Sequence, residues 1–122
     1  MFTGAVAEPG APTTIIDGDG KASPGPLSTF LLGCAACSSV DVVDILAKMR
    51  VTLKSLAVEV VGVRREETPR RYVSIHFRYL LSGEGLERHN AERAVSLSIE
   101  KYCSAMASLA PDIALTHEVV LA

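Results

Sequence analysis

The feature of this sequence that most constrains its fold is an uncharged run, PLSTFLLGCAAC, over residues 26–37. Ser23 or Gly25 can cap a helix in which Pro26 takes the first position, where the missing N–H has no cost. We expect one long helix over residues 26–50. Because its first half has no polar face to present to water, we predict that half to be buried all round, while the second half, SSVDVVDILAKMR, is amphipathic.

The rest of the chain combines strand patterns with a second helix. Two short strands, FTGAV and TTIID, precede the first helix, and the β-branched segments 56–64 and 72–81 predict an antiparallel hairpin. We expect a second helix over 87–109 and a last strand over 113–122. Strands interrupted by two long helices predict an α+β fold with an antiparallel sheet. The length of 122 residues predicts a single domain over 1–122.

Spacing along the chain predicts which side chains share a face. In the first helix Asp41, Asp44 and Lys48 lie three and four residues apart, and therefore on one side. In a strand, alternate side chains lie on the same side, and in a helix, side chains three or four residues apart do. These spacings predict one set of side chains that share a side of their strand or helix. The members of this set are Val73, Ile75, Phe77, Tyr79, Leu81, Val95, Ile99, Cys103, Met106, Ile113, Leu115, His117, Val119 and Leu121.

Composition and charge exclude several classes of protein. Hydrophobic residues make up 48% and charged residues 21% of the chain, which excludes an intrinsically disordered protein. The net charge of −2 argues against a nucleic-acid partner, because general nucleic-acid binders are usually basic. No apolar run approaches ~18 residues, so we expect no membrane span. The N-terminal MFTGAVAEPG lacks the basic start and apolar core of a signal peptide, which predicts a cytoplasmic protein.

The three cysteines are the strongest candidates for chemistry. Cys34 and Cys37 are three residues apart, so their side chains share a face of the first helix. Cys103 lies on the apolar stripe of the second helix, and it approaches that face if the two helices pack together. A buried thiol pair suits redox chemistry, in which one thiolate attacks and the other thiol resolves the product to a disulfide. Free cysteines are also common as small core residues, and spacing alone leaves both interpretations open.

Other cysteine-based sites fit the sequence less well. A thioredoxin-like CxxC lies at a helix N-terminus, where the dipole lowers a thiol pKa, but Cys34 and Cys37 lie roughly two to three turns inside the helix, beyond that effect. A structural zinc site needs four Cys or His ligands, and His76, His89 and His117 are scattered along the chain. We therefore predict no metal and no cofactor, and we assign no role to the histidines.

Several segments resemble the OsmC/Ohr family. SPGPLSTFLLGCAACSSVDVVDILAKMR is similar to the family's first long helix, which a proline opens and in which a reactive cysteine follows at a fixed distance. The stretch that begins at Cys37 resembles the YhfA-like branch, and so does ERAVSLSIEKYCSAMASL, with Cys103 in the place of the second cysteine. LAVEVVGVRREETPRRYVSIHFRYLLSG resembles the family's strand hairpin, and the resemblance covers residues 13–121.

This resemblance implies a fold, an assembly and an activity. Members of the family are intertwined homodimers in which curved antiparallel sheets wrap around two long central helices, with each active site at the dimer interface. They reduce organic or inorganic hydroperoxides with external thiols. The resemblance implies that the Cys37 thiolate attacks the peroxide and that Cys103 condenses with the resulting sulfenic acid to a disulfide. An external dithiol, such as a lipoyl group, then restores both thiols.

Three features depart from the peroxidase members of the family: two activating residues are missing, and the N-terminus looks short, as if the family's first strand were missing or reduced. In those members, an arginine near the N-terminus, oriented by a glutamate just after the helix-opening proline, stabilises the thiolate. This chain has no arginine before Arg50, and Leu27 stands in place of the glutamate. Arg50, Arg78 or a basic residue of the partner subunit could substitute. The alternative is a non-catalytic homodimer of the same fold that binds a small hydrophobic or thiol-reactive ligand. Cys34 stands where the family usually has an apolar residue, and we interpret it as a core substitution.

Overall fold

The computed structural model describes residues 2–4 and 8–122 of the chain, which fall into two compact units, Met1–Leu32 and Gly33–Ala122. The single domain over 1–122 stays a prediction. The elements follow in the order β1 (Phe2–Gly4), β2 (Thr14–Ile16), α1 (Pro26–Lys48), β3 (Thr52–Arg64), β4 (Tyr72–Glu84), α2 (Arg88–Leu97), a π-helical turn (Ser98–Tyr102), α3 (Ser104–Ala107) and β5 (Ala114–Leu121).

The first unit contains the β1–β2 pair, which is antiparallel as the two short strand patterns predict. The Ala5–Val6 part of FTGAV lies outside the described residues. Between β2 and α1, the Asp17 carboxylate accepts hydrogen bonds from backbone N–H groups of the following loop at 2.9–3.1 Å. The Gly25 carbonyl accepts a 2.8 Å hydrogen bond from the Thr29 N–H, so Gly25, rather than Ser23, caps α1.

The helix α1 begins at Pro26 as predicted and ends at Lys48, two residues earlier than expected. The prediction that its first half is buried all round is wrong for the chain by itself. Three of its large apolar side chains are between 39% and 47% exposed: Leu27, Phe30 and Leu32. Pattern analysis identifies apolar residues, but it does not say whether the same chain or another molecule covers them.

The hydropathy of α1 corrects the expectation that no apolar run is long enough to span a membrane. An 18-residue stretch of this helix has a mean hydropathy of 1.8, so by length and composition alone it could cross a membrane. The expectation that no stretch is long enough is wrong on this measure, because residues 26–40 are all uncharged. A third of the stretch is already buried inside the folded chain, and the core helix of a soluble protein meets the same criterion.

The second unit contains a three-stranded sheet in the order β3–β4–β5. The predicted hairpin is confirmed, because β3 and β4 pair antiparallel along most of their lengths. The antiparallel expectation fails for β5, which runs parallel to β4, with Phe77 opposite His117. The physical reason is the connection: residues 85–113 carry a helical crossover, and a crossover of that length can return the chain in the parallel direction.

Most of the side chains predicted to share one side of their element are buried or half-buried, and we call them the inward-facing set. In β4, Ile75, Phe77, Tyr79 and Leu81 are all fully buried. Val73 is the exception, because it is exposed while its neighbour Tyr72 is buried. A register shift next to Val63 turns this end of the strand, and the Tyr72 ring covers Gly62 so closely that an added Cβ would overlap it.

The second helical segment is interrupted, which corrects the prediction of one helix over 87–109 and of two long helices. α2 ends at Leu97, the next five residues form the π-helical turn, and Cys103 has extended backbone (φ −72°, ψ 113°) before the short α3. The Cys103 N–H donates to the Ser98 carbonyl at 2.8 Å, which closes the widened turn. Apolar spacing did not predict this turn, because the spacing of Val95, Ile99, Cys103 and Met106 also fits an uninterrupted α-helix.

Candidate functional site

The structure brings two of the sequence-predicted cysteines together within the second unit. α1 carries Cys37 half-buried on the face that it shares with Cys34, and the break after the π-helical turn holds Cys103 beside it. Cys37 lies close enough to the Cys103 thiol to contribute to the rise of its pKa. All three cysteines are free. The two thiols are therefore neighbours in the fold, and their catalytic roles stay predictions.

Burial dominates the electrostatics of these thiols. It raises the pKa of Cys103 to about 11, and the interaction with Cys37 adds to this rise. The backbone N–H groups of Met106 and Ala105 act in the opposite direction, because they point from the start of α3 toward the sulfur. Burial also raises the pKa of Cys34, with a second contribution from Cys37. Cys103 therefore keeps its proton at neutral pH.

Neither Arg50 nor Arg78 contributes to the raised pKa of Cys34 or of Cys103. The Arg78 guanidinium binds Glu59 at 3.0 Å and Glu118 at 3.1 Å. Arg78 follows Phe77 and precedes Tyr79 in β4, so its side chain points to the opposite face from those buried rings. Among the described residues, no basic side chain contributes to the pKa shift of Cys34 or Cys103.

Next to the thiols lies a buried chain of hydrogen bonds that sequence reasoning missed. The Ser38 hydroxyl lies 2.6 Å from the Tyr79 hydroxyl and 2.9 Å from the Ser98 hydroxyl. The Ser98 hydroxyl has two acceptors within hydrogen-bond distance, the Ser38 carbonyl oxygen at 3.1 Å and an Asp41 carboxylate oxygen at 3.2 Å. Tyr79, Ser38 and Ser98 are completely buried. We call this hydrogen-bonded series of side chains, Tyr79–Ser38–Ser98–Asp41, the hydroxyl chain.

Part of the hydroxyl chain had a signal in the sequence. Ser38 follows Cys34 by four residues and therefore shares its helix face, and Tyr79 belongs to the inward-facing set of β4. Burial raises the pKa of Tyr79 to about 12; the Ser38 contact opposes this rise and electrostatic interaction with Cys103 adds to it. Tyr79 is therefore a neutral hydroxyl at physiological pH, close enough to Cys103 to interact with it. Ser98 had no such signal, because the π-helical turn sets its direction.

The outer end of the hydroxyl chain reaches a surface cleft. The cleft has a volume of about 390 Å³, and its walls are formed by Asp41, Asp44, Ile45, Lys48, Leu97 and Tyr102. The face that spacing predicts for the three charged residues of α1 is confirmed, since all of them line this cleft. Asp41 is half-buried, with one carboxylate oxygen bound to Ser98 and its side chain in the cleft wall.

The three histidines make their contacts away from this site. The His76 ring contacts Thr116 at 2.7 Å, and His117 lies 3.5 Å from the Ser96 hydroxyl, whereas His89 pairs with Glu87 at the surface. Within residues 2–4 and 8–122, no group of three or more Cys, His, Asp or Glu side chains is arranged to hold a metal ion.

Comparison with known proteins identifies a family to which this chain is similar. Residues 18–118 match the family model for OsmC-like proteins. The Escherichia coli protein YhfA is 38% identical over 111 residues, which cover 88% of this chain and 83% of YhfA. A crystal structure of a hypothetical protein from Aquifex aeolicus is similar with a TM-score of 0.74 and 36% identity, over 84% of this chain and 78% of that one. An organic hydroperoxide resistance protein OsmC from Legionella pneumophila has a TM-score of 0.64 and 16% identity, over 98% of this chain and 97% of that one, and shares the fold.

Proposed function

Because the chain belongs to the OsmC-like family, we propose that it reduces hydroperoxides with electrons from thiols, through a peroxidatic Cys37 and a resolving Cys103. The observation that carries this proposal is that Cys37 and Cys103, both free thiols, lie close enough for Cys37 to raise the pKa of Cys103. The fold gives further support, since it is also that of the organic hydroperoxide resistance protein from Legionella pneumophila.

The proposed reaction has two oxidative steps. The Cys37 thiolate attacks the distal oxygen of a hydroperoxide, the O–O bond breaks, and the alkoxide takes up a proton to leave as an alcohol. Cys37 is left as a sulfenic acid. The sulfur of Cys103 then attacks the sulfur of Cys37, a disulfide forms, and the hydroxyl group leaves as water. The difference in burial supports this assignment, because the half-buried Cys37 is open to a substrate and Cys103 is not.

The proposal includes a reductant and a cellular location. An external dithiol reduces the disulfide by two successive thiol–disulfide exchanges, and it leaves as its own disulfide. Such a cycle requires a compartment that keeps thiols reduced, and we therefore place the protein in the cytoplasm.

The proposal also includes a homodimer. Exposed apolar side chains on α1 support it, because Val40 is 63% and Val43 is 43% exposed in the single chain. A second copy of the chain would cover such a surface symmetrically. We expect light scattering at micromolar concentration to give the mass of a dimer, and we expect Val40→Glu to give a monomer. The matched control is Val61→Glu, on the equally exposed strand β3. A monomeric mass for the unmodified protein contradicts this part of the proposal.

The deciding experiment is the intact mass of the reduced, desalted protein after one equivalent of cumene hydroperoxide. We expect the loss of two hydrogen atoms within minutes, mapped by non-reducing peptide analysis to a Cys37–Cys103 disulfide. Cys34→Ala is the matched control, because it removes the third thiol and leaves the proposed pair intact. An unchanged mass after an hour, or a disulfide that involves Cys34 instead, contradicts the proposed pair.

A second candidate function is a homodimer that binds a small hydrophobic or thiol-reactive ligand without turnover. The observation that favours it is electrostatic: the pKa of Cys103 is raised to about 11, and Arg78 is held by two carboxylates on the other face of the sheet. This candidate predicts no consumption of cumene hydroperoxide and a higher melting temperature in the presence of a ligand. A measured pKa of Cys37 well below 7 contradicts it, because a thiol activated in that way is built for nucleophilic attack.

A further inference from the structure

We propose that the surface cleft beside α1 binds the thiol that exchanges with Cys37, and that it selects a zwitterionic thiol, namely a short peptide that begins with cysteine. This inference rests on the proposed function, because it names the chemical class of the reductant in that reaction. Its basis is the order of the charges along the cleft and the position of Cys37 next to them.

Cys37 lies in line with the cleft. Residues four, seven and eleven positions apart share one face of a helix. Asp41, Asp44 and Lys48 stand at these distances after Cys37 in α1, and all three line the cleft. With a rise of about 1.5 Å per residue, Asp41 lies about 6 Å and Asp44 about 10 Å beyond Cys37 along the helix axis. The half-buried Cys37 therefore stands one helical turn from the cleft.

The segment that carries the second thiol forms the other wall of the cleft. Tyr102, the residue before Cys103, lines the cleft together with Leu97 at the end of α2. The Ser98 hydroxyl of the same segment lies 3.2 Å from an Asp41 carboxylate oxygen, which joins the two walls. A molecule in the cleft therefore lies next to the segments that carry both thiols.

The charges in the cleft have opposite signs at different distances from Cys37. The two carboxylates of the lining, Asp41 and Asp44, stand toward Cys37. The Lys48 ammonium belongs to the next turn of α1, beyond Asp44. Among the described residues no ion pair joins Lys48 to either carboxylate, so these charges remain available to a ligand. A ligand that matches this order carries an ammonium group close to its thiol and a carboxylate further away.

The size and the walls of the cleft suit a short peptide. Its volume of about 390 Å³ lies within the range of small-molecule sites. From Asp44 to Lys48 the helix rises about 6 Å, and a dipeptide spans at most about 7 Å. The Lys101 ammonium adds a positive charge beside the cleft, 5.3 Å from the centre of the Tyr102 ring. Three side chains of the lining provide apolar surface for the carbon skeleton of the peptide: Ile45, Leu97 and Tyr102.

The exchange balances in atoms and electrons. The sulfur of the bound peptide attacks the Cys37 sulfur of the Cys37–Cys103 disulfide, and the S–S bond breaks. The Cys103 sulfur leaves with the electron pair and takes up the proton that the peptide thiol has lost. A second peptide thiol then attacks the peptide sulfur of the mixed disulfide, which releases Cys37 as a thiol and the peptide as its disulfide. A peptide with two cysteines supplies both thiols itself.

The first test needs no peroxide. A protein with Cys34→Ala and Cys103→Ala, in which only Cys37 can react, is mixed with the disulfide of cysteinylglycine, and mass spectrometry follows the mixed disulfide. Two matched reagents are the same disulfide with acetylated N-termini, which lacks the ammonium groups, and with amidated C-termini, which lacks the carboxylates. Each rate is divided by the rate in urea, where the unfolded chain reports the intrinsic reactivity of the reagent.

We expect the zwitterionic reagent to react about tenfold faster than either blocked reagent after this correction. Asp44→Asn is expected to slow the zwitterionic reagent but not the acetylated one, because the acetylated reagent has no ammonium group. Lys48→Met is expected to slow the zwitterionic reagent but not the amidated one. Glu100→Gln is the matched control, because it removes an exposed carboxylate of the π-helical turn that does not line the cleft.

Two results overturn the proposal. One is an equal corrected rate for all three reagents. The other is a loss in Asp44→Asn that is as large for the acetylated reagent as for the zwitterionic one, because such a loss does not depend on the ammonium group.

A second assay separates this site from the peroxidase proposal. With cumene hydroperoxide as substrate and cysteinylglycine as reductant, the KM for the reductant is expected to rise about tenfold in Asp44→Asn. If the unmodified protein consumes no hydroperoxide but shows the preference in the exchange assay, the peroxidase proposal is wrong and the assignment of the cleft stands. If it consumes hydroperoxide without this preference, the assignment of the cleft is wrong and the peroxidase proposal stands.

Discussion

The two regions that carry the reactive thiols are built in opposite ways. α1 is a continuous helix of 23 residues, and Cys37 lies within its regular turns. The segment that carries Cys103 consists of α2, a π-helical turn, one extended residue and the four-residue α3. A regular helix therefore carries the half-buried Cys37, whereas a local irregularity positions the buried Cys103 near it. Such π-helical turns are frequent at functional sites.

The largest expected effect separates the chemical roles of the two regions. Cys37→Ser is expected to reduce hydroperoxide consumption to the uncatalysed background, because the attacking sulfur is gone. Cys103→Ser is expected to consume one equivalent per chain and then stop at the Cys37 sulfenic acid, which dimedone traps. A peroxide assay with both variants checks this difference. Equal consumption by both variants contradicts the assignment of roles.

The second-largest expected effect distinguishes residues that stabilise the fold from residues that position Cys103. Leu46 is completely buried in α1, and Leu46→Ala is expected to lower the free energy of unfolding by ~2–5 kcal/mol while disulfide formation keeps its rate. Met106→Ala in α3 is expected to lower this free energy less, because a four-residue helix can shift into the space. That shift is expected to move Cys103 and to slow disulfide formation. Urea unfolding and rapid-quench rates measure both quantities, and the reverse pattern contradicts the comparison.

The third effect concerns the reactivity of the thiols toward alkylation. Burial raises the pKa of Cys103 from 9.0 to about 11, so its thiolate fraction at pH 8 is about 100-fold below that of an ordinary thiol. We expect iodoacetamide to label Cys37 first and Cys103 about 100-fold more slowly than in urea, where the unfolded chain is the control. Labelling of Cys103 at the same rate in both conditions contradicts the burial argument.

The smallest expected effect is on the pH dependence of stability, and it comes from the Asp17 loop. This loop lies outside both thiol-bearing regions and serves as a reference for them. Backbone hydrogen bonds from Ala22, Asp19 and Lys21 hold the pKa of Asp17 below its ordinary value of 3.8. The ionised carboxylate therefore stabilises the folded state above about pH 4, and this contribution is lost as the pH falls through the lower folded-state pKa. Asp17→Asn is expected to be slightly less stable at pH 7, with a difference that disappears in acid.

Thermal unfolding between pH 2 and pH 7 checks the Asp17 prediction. The rate of disulfide formation in Asp17→Asn is expected to equal that of the unmodified protein. A stability difference that grows as the pH falls has the wrong sign and contradicts the linkage argument.

The sequence by itself determined the elements whose signals are local. The start of α1 at Pro26, the shared face of Cys34 and Cys37, and the inward-facing set of β4 all follow from the helical and strand periods, which act over a few residues. The flanks of Cys37 and Cys103 also identified the family, which the comparisons confirm. These features needed no knowledge of what packs against them.

The tertiary structure alone decided how those elements meet. The parallel direction of β5, the break at Cys103 and the hydroxyl chain depend on contacts between distant residues: Ser38 with Tyr79 at a separation of 41 positions, and Ser38 with Ser98 at 60. A buried hydroxyl must find a partner wherever the fold brings one, since leaving it without a hydrogen bond costs about 1–3 kcal/mol. That requirement acts in space rather than along the chain, and for this reason the periodicity of the sequence could not reveal it.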